Sequence, residues 1–236
     1  MFEFPFDLLI LIAAGLFAGF VNTIAGGGSL LTLPLLIFLG LPPATANGTN
    51  RIAIFVSASA ATLGFRSKNI NSFPFSLYLG IAALLGALIG ARIAVEIDGL
   101  LFNKILAIIM IAVVFLMVLK PNYKSQLLEP KTTGKILIWS MVAFFFIGIY
   151  GGFINAGIGF IIMLFLNYVN KLDLVRVNAT KVALVLVYTT GALITFVLSG
   201  HINLEYGIAL AIGNAAGAFL PRDMLLERER ALSKSL

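Results

Sequence analysis

The stretch AGFVNTIAGGGSLLTLPLL, residues 18–36, decides the fold. It places Gly26, Gly27 and Gly28 in a row inside an apolar run from 6 to 40, with Pro34 beyond them. One unbroken helix over that run would be about 52 Å long at 1.5 Å per residue, against a bilayer hydrocarbon core of about 30 Å. Glycine and proline are poor residues for a helix interior, so the run is expected to break at the glycines and turn back. A second long run, 135–167, is interrupted in the same way by Gly151-Gly152 and by Gly157-Ile158-Gly159.

Five further apolar stretches flank these two, at 46–65, 74–95, 100–119, 177–199 and 204–220, which makes about seven in all. Of the 236 residues 60% are apolar and 11% charged, with a mean hydropathy of +1.06. Soluble domains carry about a quarter charged residues, so this chain lacks the polar surface to cover a water-soluble globule. The expected fold class is an all-α membrane protein, a polytopic helical bundle. Cysteine is absent and histidine occurs once, at His201. Thiolate zinc sites, disulfides and Cys/His nucleophile pairs are thereby excluded, and a membrane enzyme ranks last among the functions considered. The first residues, MFEFPFD, hold two acids and no Lys or Arg, the wrong sign for the start of a secretory signal. The formal charge of +6 fits cytoplasmic loops rich in Lys and Arg, and nucleic acid is not an expected partner.

The chain repeats itself. Gly15 and Gly19 return as Gly148 and Gly152, and Phe20-Val21-Asn22 returns as Phe153-Ile154-Asn155. After a two-residue deletion the offset becomes 131: Gly26 and Gly28 match Gly157 and Gly159, and Asn47, Thr49 and Asn50 match Asn178, Thr180 and Lys181. Gly86 and Gly90 return as Gly213 and Gly217. A first repeat over 1–119 is therefore joined by a polar linker, 120–134, to a shorter second repeat, 135–220. A polar tail, 221–236, follows, and no counterpart of the stretch 100–119 appears in the second copy.

Cation placement sets the expected topology. If each long broken stretch enters and returns on the same side, twelve cations share one side: Arg66, Lys68, Lys120, Lys124, Lys131, Lys135, Lys171, Arg176, Arg222, Arg228, Arg230 and Lys234. The opposite side receives Arg92 and Lys104. The positive-inside rule makes the crowded side cytoplasmic, with the linker and the tail on it. Each repeat then crosses an odd number of times, so the two copies are inverted, an architecture of secondary transporters.

Two groups of residues carry candidate chemistry. In NTIAGGGSL, 22–30, the glycine break exposes amides and precedes a new helix N-terminus, a combination suited to an anion. Asn22, Thr23, Gly26, Gly27, Gly28 and Ser29 are the candidates there, with Asn155, Gly157 and Gly159 as their echoes. Close helix packing is the competing role for the glycines. In ATANGTNR, 44–51, and VRVNATKV, 175–182, Arg51 and Lys181 are the two cations left inside apolar stretches. A central cation costs about 2.5–3.5 kcal/mol on insertion scales and needs a cavity, partners or a route outward by snorkelling. Asn47, Thr49, Asn50, Asn178 and Thr180 surround them as hydrogen-bonding groups. With no carboxylate nearby, the set suits a small anion and no metal. His201 falls in a short turn and reads as solvated surface.

The glycine break followed by proline, the polar NGTNR start of the next stretch, and the echo GGFINAGIGF then VNATK together resemble the sulfite exporter TauE/SafE family. The second glycine motif departs from the family's, with Phe165 where the first repeat has Pro34, and the eighth segment common in members is missing. The resemblance implies a multi-pass protein of the bacterial inner membrane that moves sulfite, sulfonates or related small organic anions and needs no cofactor. The leading expectation is a secondary transporter of a small anion working by alternating access, with the lipid bilayer as its surroundings. The alternative is a non-transporting accessory subunit. Monomer and homodimer both stay open, as do the particular anion, the direction and the coupling ion.

Overall fold

The computed structural model of the chain describes residues 6–24, 26–70, 72–118 and 129–218. Among these the fold is entirely helical: α1 (Phe6–Ile24), α2 (Ser29–Phe38), α3 (Pro43–Ser67), α4 (Phe75–Glu96), α5 (Gly99–Val118), α6 (Gly134–Phe153), α7 (Ile158–Tyr168), α8 (Leu174–Leu198) and α9 (204–218). Helices α1, α4, α5, α6 and α8 are long and apolar enough to cross a bilayer. Helix α3 has 25 residues, enough for about 37 Å, but its Asn, Thr and Arg residues lower its hydropathy. Helices α2 and α7, of 10 and 11 residues, reach only about half as far as a full span.

The distribution of polarity is that of a protein dissolved in lipid. Large apolar side chains such as Phe17, Leu85, Ile111, Trp139 and Ile194 are exposed. Arg51, Asn47, Thr49, Asn50, Asn178, Thr180 and Lys181 are buried. Lipid offers no hydrogen bonds, so polar groups gather inside.

Both long runs are divided as the glycines suggest, although the second divides later than expected. Its break runs through 154–157, and Gly151 and Gly152 remain helical at the end of α6. Their role is packing: a Cβ on Gly152 would lie 2.1 Å from the Ala87 carbonyl oxygen of α4. The breaks themselves use left-handed backbone at Gly26 (φ 75°), Asn155 (φ 63°) and Gly157 (φ 69°), a region open to glycine and tolerated by asparagine. Pro34 lies inside α2 and does not end it.

Two pairs of helices meet along glycine seams, and the seams match atom for atom. A Cβ on Gly86 or Gly90 of α4 would strike the carbonyl of Phe145 or Ile149 of α6, at 2.0 and 1.9 Å. A Cβ on Gly213 or Gly217 of α9 would strike the carbonyl of Ile12 or Leu16 of α1, again at 2.0 and 1.9 Å. In both seams residue numbers rise together, so the paired helices run parallel. Each seam joins a helix of the first half of the chain to one of the second. Helix α5, without a counterpart among the described residues of the second half, closes over the second break through Phe102 against Phe153, ring centroids 5.8 Å apart, and Val113 against Gly157.

One end of the bundle gathers Arg66, Lys68, Lys131, Lys135, Lys171 and Arg176, tied together where the Lys131 amide donates to the Asn170 carbonyl (2.9 Å). At the other end Gly99 touches Pro43 and Gly48 lies against His201. Arg92 sits near that end, bonded to Glu96 at 3.2 Å. The cations at 120, 124, 222, 228, 230 and 234, and the tail 221–236, lie outside the described residues.

The seams predict a position-specific cost for one methyl group. Gly90→Ala forces backbone apart and is expected to lose about 1–3 kcal/mol, the range for overpacking, read as a lower unfolding midpoint in detergent. Gly99→Ala, where the new Cβ would sit 3.6 Å from Pro43, serves as the control and leaves the midpoint within a degree or two of the parent. Equal losses at both positions would contradict the packing account.

Candidate functional site

A helix that stops inside the bundle leaves its last four carbonyls without partners. For α1 these include Asn22 and Thr23. The Lys181 ammonium, reaching across from α8, donates to the Asn22 carbonyl and the Thr23 carbonyl at 3.0 Å each. It also donates to Asn178 Oδ1 at 2.7 Å and lies 3.5 Å from Met163 Sδ. An ammonium has three protons, and all are engaged. The end of α6 is treated alike. Arg51 of α3 donates through Nη2 to the Gly152 carbonyl at 2.7 Å and to Asn47 Oδ1 at 3.4 Å, while Asn47 Nδ2 donates to the Phe153 carbonyl at 2.6 Å.

Neither cation snorkels outward: Arg51 is 0% and Lys181 2% exposed. The negative end of a helix dipole favours a cation, and each is held by helix-end carbonyls in place of a carboxylate. Arg51 also faces the Phe196 ring at 5.6 Å. Its Nε and Nη1, and Asn50 Nδ2, find no partner among the described residues.

The two breaks touch. A Cβ on Gly26 would lie 2.3 Å from the Gly159 Cα, and one on Gly159 would lie 2.4 Å from the Gly26 Cα. Side chains knit the junction. Asn22 Oδ1 accepts from the Gly28 amide at 2.8 Å, and Asn155 Nδ2 donates to Ser29 Oγ at 3.3 Å. The Tyr188 hydroxyl donates to Asn155 Oδ1 at 2.7 Å, and the Tyr150 hydroxyl donates to the Ala156 carbonyl. The first amides of α2 and α7, at Ser29, Ile158 and Gly159, make no backbone hydrogen bond among the described residues.

Beside this junction lies a cavity of about 40 Å³, room for about three water-sized centres. Asn22, Thr23 and Gly26 form one wall, Asn155 and Gly159 a second, and Lys181 a third. Among the described residues no carboxylate lines it. Of the sequence candidates, these six border the cavity. Gly27, Gly28, Ser29 and Gly157 shape the breaks, and Asn178 holds Lys181. Arg51, Asn47 and Asn50 sit apart from the cavity, Asn50 Oδ1 accepting from Thr32 Oγ1 at 2.8 Å. Thr49 Oγ1 accepts from the Asn203 amide at 2.9 Å, and Thr180 faces the cation-rich end.

Two polar lining residues escaped the sequence reading, Ser57 and Tyr188. They are counterparts at the offset of 131, and that match could have revealed them. His201, read from sequence as solvated surface, is half-buried, with Nδ1 lacking a partner among the described residues.

Buried polar breaks inside an apolar-coated helical bundle are the kind of architecture that membrane transport proteins use. The profile of the family described as Sulfite exporter TauE/SafE matches residues 11–228, and the chain belongs to that family. Among its relatives is a probable membrane transporter protein of Haemophilus influenzae, 28% identical over 231 residues, covering 98% of this chain and 90% of the relative. Another is the probable membrane transporter protein ORF9 of Sinorhizobium, 27% identical, covering 92% and 83%. The probable membrane transporter protein YfcA of Escherichia coli K12 is 25% identical, covering 98% and 86%. No solved structure matches the chain.

The cross-capping gives a test of stability. Arg51→Met and Lys181→Met each strip helix-end carbonyls of a charged donor, and each is expected to cost about 1.5–3 kcal/mol, the scale of hydrogen bonds to charged groups. Thermal unfolding of the purified protein in detergent measures it. A parent-like midpoint in both variants would remove the capping role.

Proposed function

We propose that the chain is a secondary transporter of a small anion, with sulfite or a sulfonate as the favoured cargo. The observation that carries this reading is the meeting of the two breaks beside a cavity whose polar lining is amide and hydroxyl groups and one ammonium, with no carboxylate among the described residues. In this conformation Lys181 supplies positive potential while its protons are held by the end of α1 and by Asn178 Oδ1. Contact donors for the oxygens of an anion would be Asn22 Nδ2, the Ser57 hydroxyl and the first amides of α7, with the Tyr188 hydroxyl, which donates to Asn155 Oδ1, fixing the Asn155 amide beside them. Charge-assisted bonds of this kind are about twice as strong as neutral ones, and the low dielectric around them strengthens the attraction.

Inverted repeats are the reading that best accounts for the matched glycine seams. Two halves of opposite orientation, each lending a cation to the broken helix of the other, would rock about the junction and expose the cavity to each side in turn. With the cation-rich end cytoplasmic by the positive-inside rule, the cavity lies in the cytoplasmic half of a bacterial inner-membrane protein. An accessory subunit without transport would have no use for a polar cavity at the junction, and the lining therefore favours a carrier.

Uptake of labelled sulfite into liposomes carrying the purified protein tests the reading. Asn155→Asp keeps the acceptor for Tyr188 and nearly the same shape but adds a negative charge beside the cavity. Uptake is expected to fall by at least about tenfold, as for a like charge in a poorly screened site, with the protein still monodisperse. Full uptake of the anion by this variant would overturn the anion assignment.

A further inference from the structure

The cavity at the breaks has a neighbour. At the cation-rich end a vestibule of about 690 Å³ opens between the turn after α3, the segment before α6 and the start of α8. The two spaces do not merge. Between them stands a separate apolar cluster of Ala61, Phe65, Val175, Ala179 and Val182, distinct from the main core.

The membership of this cluster locates it. Ala61 and Val182 also line the cavity, whereas Val175 and Ala179 also line the vestibule. Phe65 borders neither space and is 2% exposed, so its ring fills the middle of the wall. We infer that Phe65, closed against Val175 and Val182, is an apolar gate on the route between the vestibule and the cavity. An apolar constriction of this kind excludes ions by staying dry.

The gate is built where the backbone yields most readily. Phe65 lies in the last turn of α3, two residues before Ser67, and Val175 lies in the first turn of α8. Helix ends hold fewer hydrogen bonds than helix middles, and local opening draws on such regions. The Phe65 carbonyl accepts from the amides of both Lys68 and Ile70, at 3.1 Å each. The turn that walls the vestibule is thereby coupled to the gate residue. Across the wall, Asp173 caps α8 by accepting from the Arg176 amide at 2.8 Å. One side of the gate comes from each half of the chain, so rocking of the halves would part it.

The gate deepens the transport reading and rests on the cavity being the cargo site, but reagent accessibility tests it without any transport measurement. The chain has no cysteine, so a single Ala58→Cys change in the cavity wall gives a sole target. The probe is 2-sulfonatoethyl methanethiosulfonate, which is membrane-impermeant and itself a sulfonate. Labelling in sealed vesicles of known orientation is expected to be slow with Phe65 present. With Phe65→Ala it is expected to rise by at least about tenfold, as removal of the ring wets the constriction, and only from the face carrying Lys131 and Arg176. Labelling that is equally fast with and without Phe65, or accelerated equally from both faces, overturns the gate. Should Phe65→Ala fail to fold, Val175→Ala and Val182→Ala thin the same wall, and each should accelerate labelling from that face. Absence of sulfite uptake by the parent, with gated labelling intact, would sink the cargo reading alone.

Discussion

A helix that ends inside lipid leaves carbonyls that nothing in the hydrocarbon can satisfy, and the fold depends on how this chain meets that demand. It sends one cation across from each half: Lys181 to the end of α1 and Arg51 to the end of α6. The exchange solves two problems together, since a buried cation also needs partners. Dipole and charge attract, and neither cation needs a carboxylate. Among the described residues no carboxylate lines the cavity, in keeping with the anionic cargo proposed for it.

The glycine seams set the distance at which this works. Along α4 with α6, and α1 with α9, backbone meets backbone with no room for a methyl group. Close approach of this kind is how helices associate where burial of apolar surface gives no driving force. It brings the two breaks into contact at Gly26 and Gly159, where a side chain on either would hold them apart.

Much of the fold was legible because membrane helices announce themselves by length and polarity. The apolar stretches fall within a few residues of the helices, and Gly26 to Gly28 marked the first break. Gly151 and Gly152 misled because glycine serves both to break helices and to pack them, and sequence alone does not say which. The buried cations were visible as anomalies in apolar runs. Their partners were not, since the carbonyls they meet lie 101 and 158 residues away and every residue has a carbonyl. Tyr188 and Ser57 were passed over because tyrosine and serine are ordinary in such helices. Only the cavity gives them meaning.

The interlocking of the halves bears on how the protein is made. Helix α1 leaves the ribosome long before α8 carries Lys181 to its open end, and α4 long before α6 exists to fill its seam. During synthesis the first half therefore sits in the membrane with unanswered carbonyls and a bare glycine face. Chaperoning by the insertion machinery, or by water held near the translocon, would have to cover that interval until the last helices arrive.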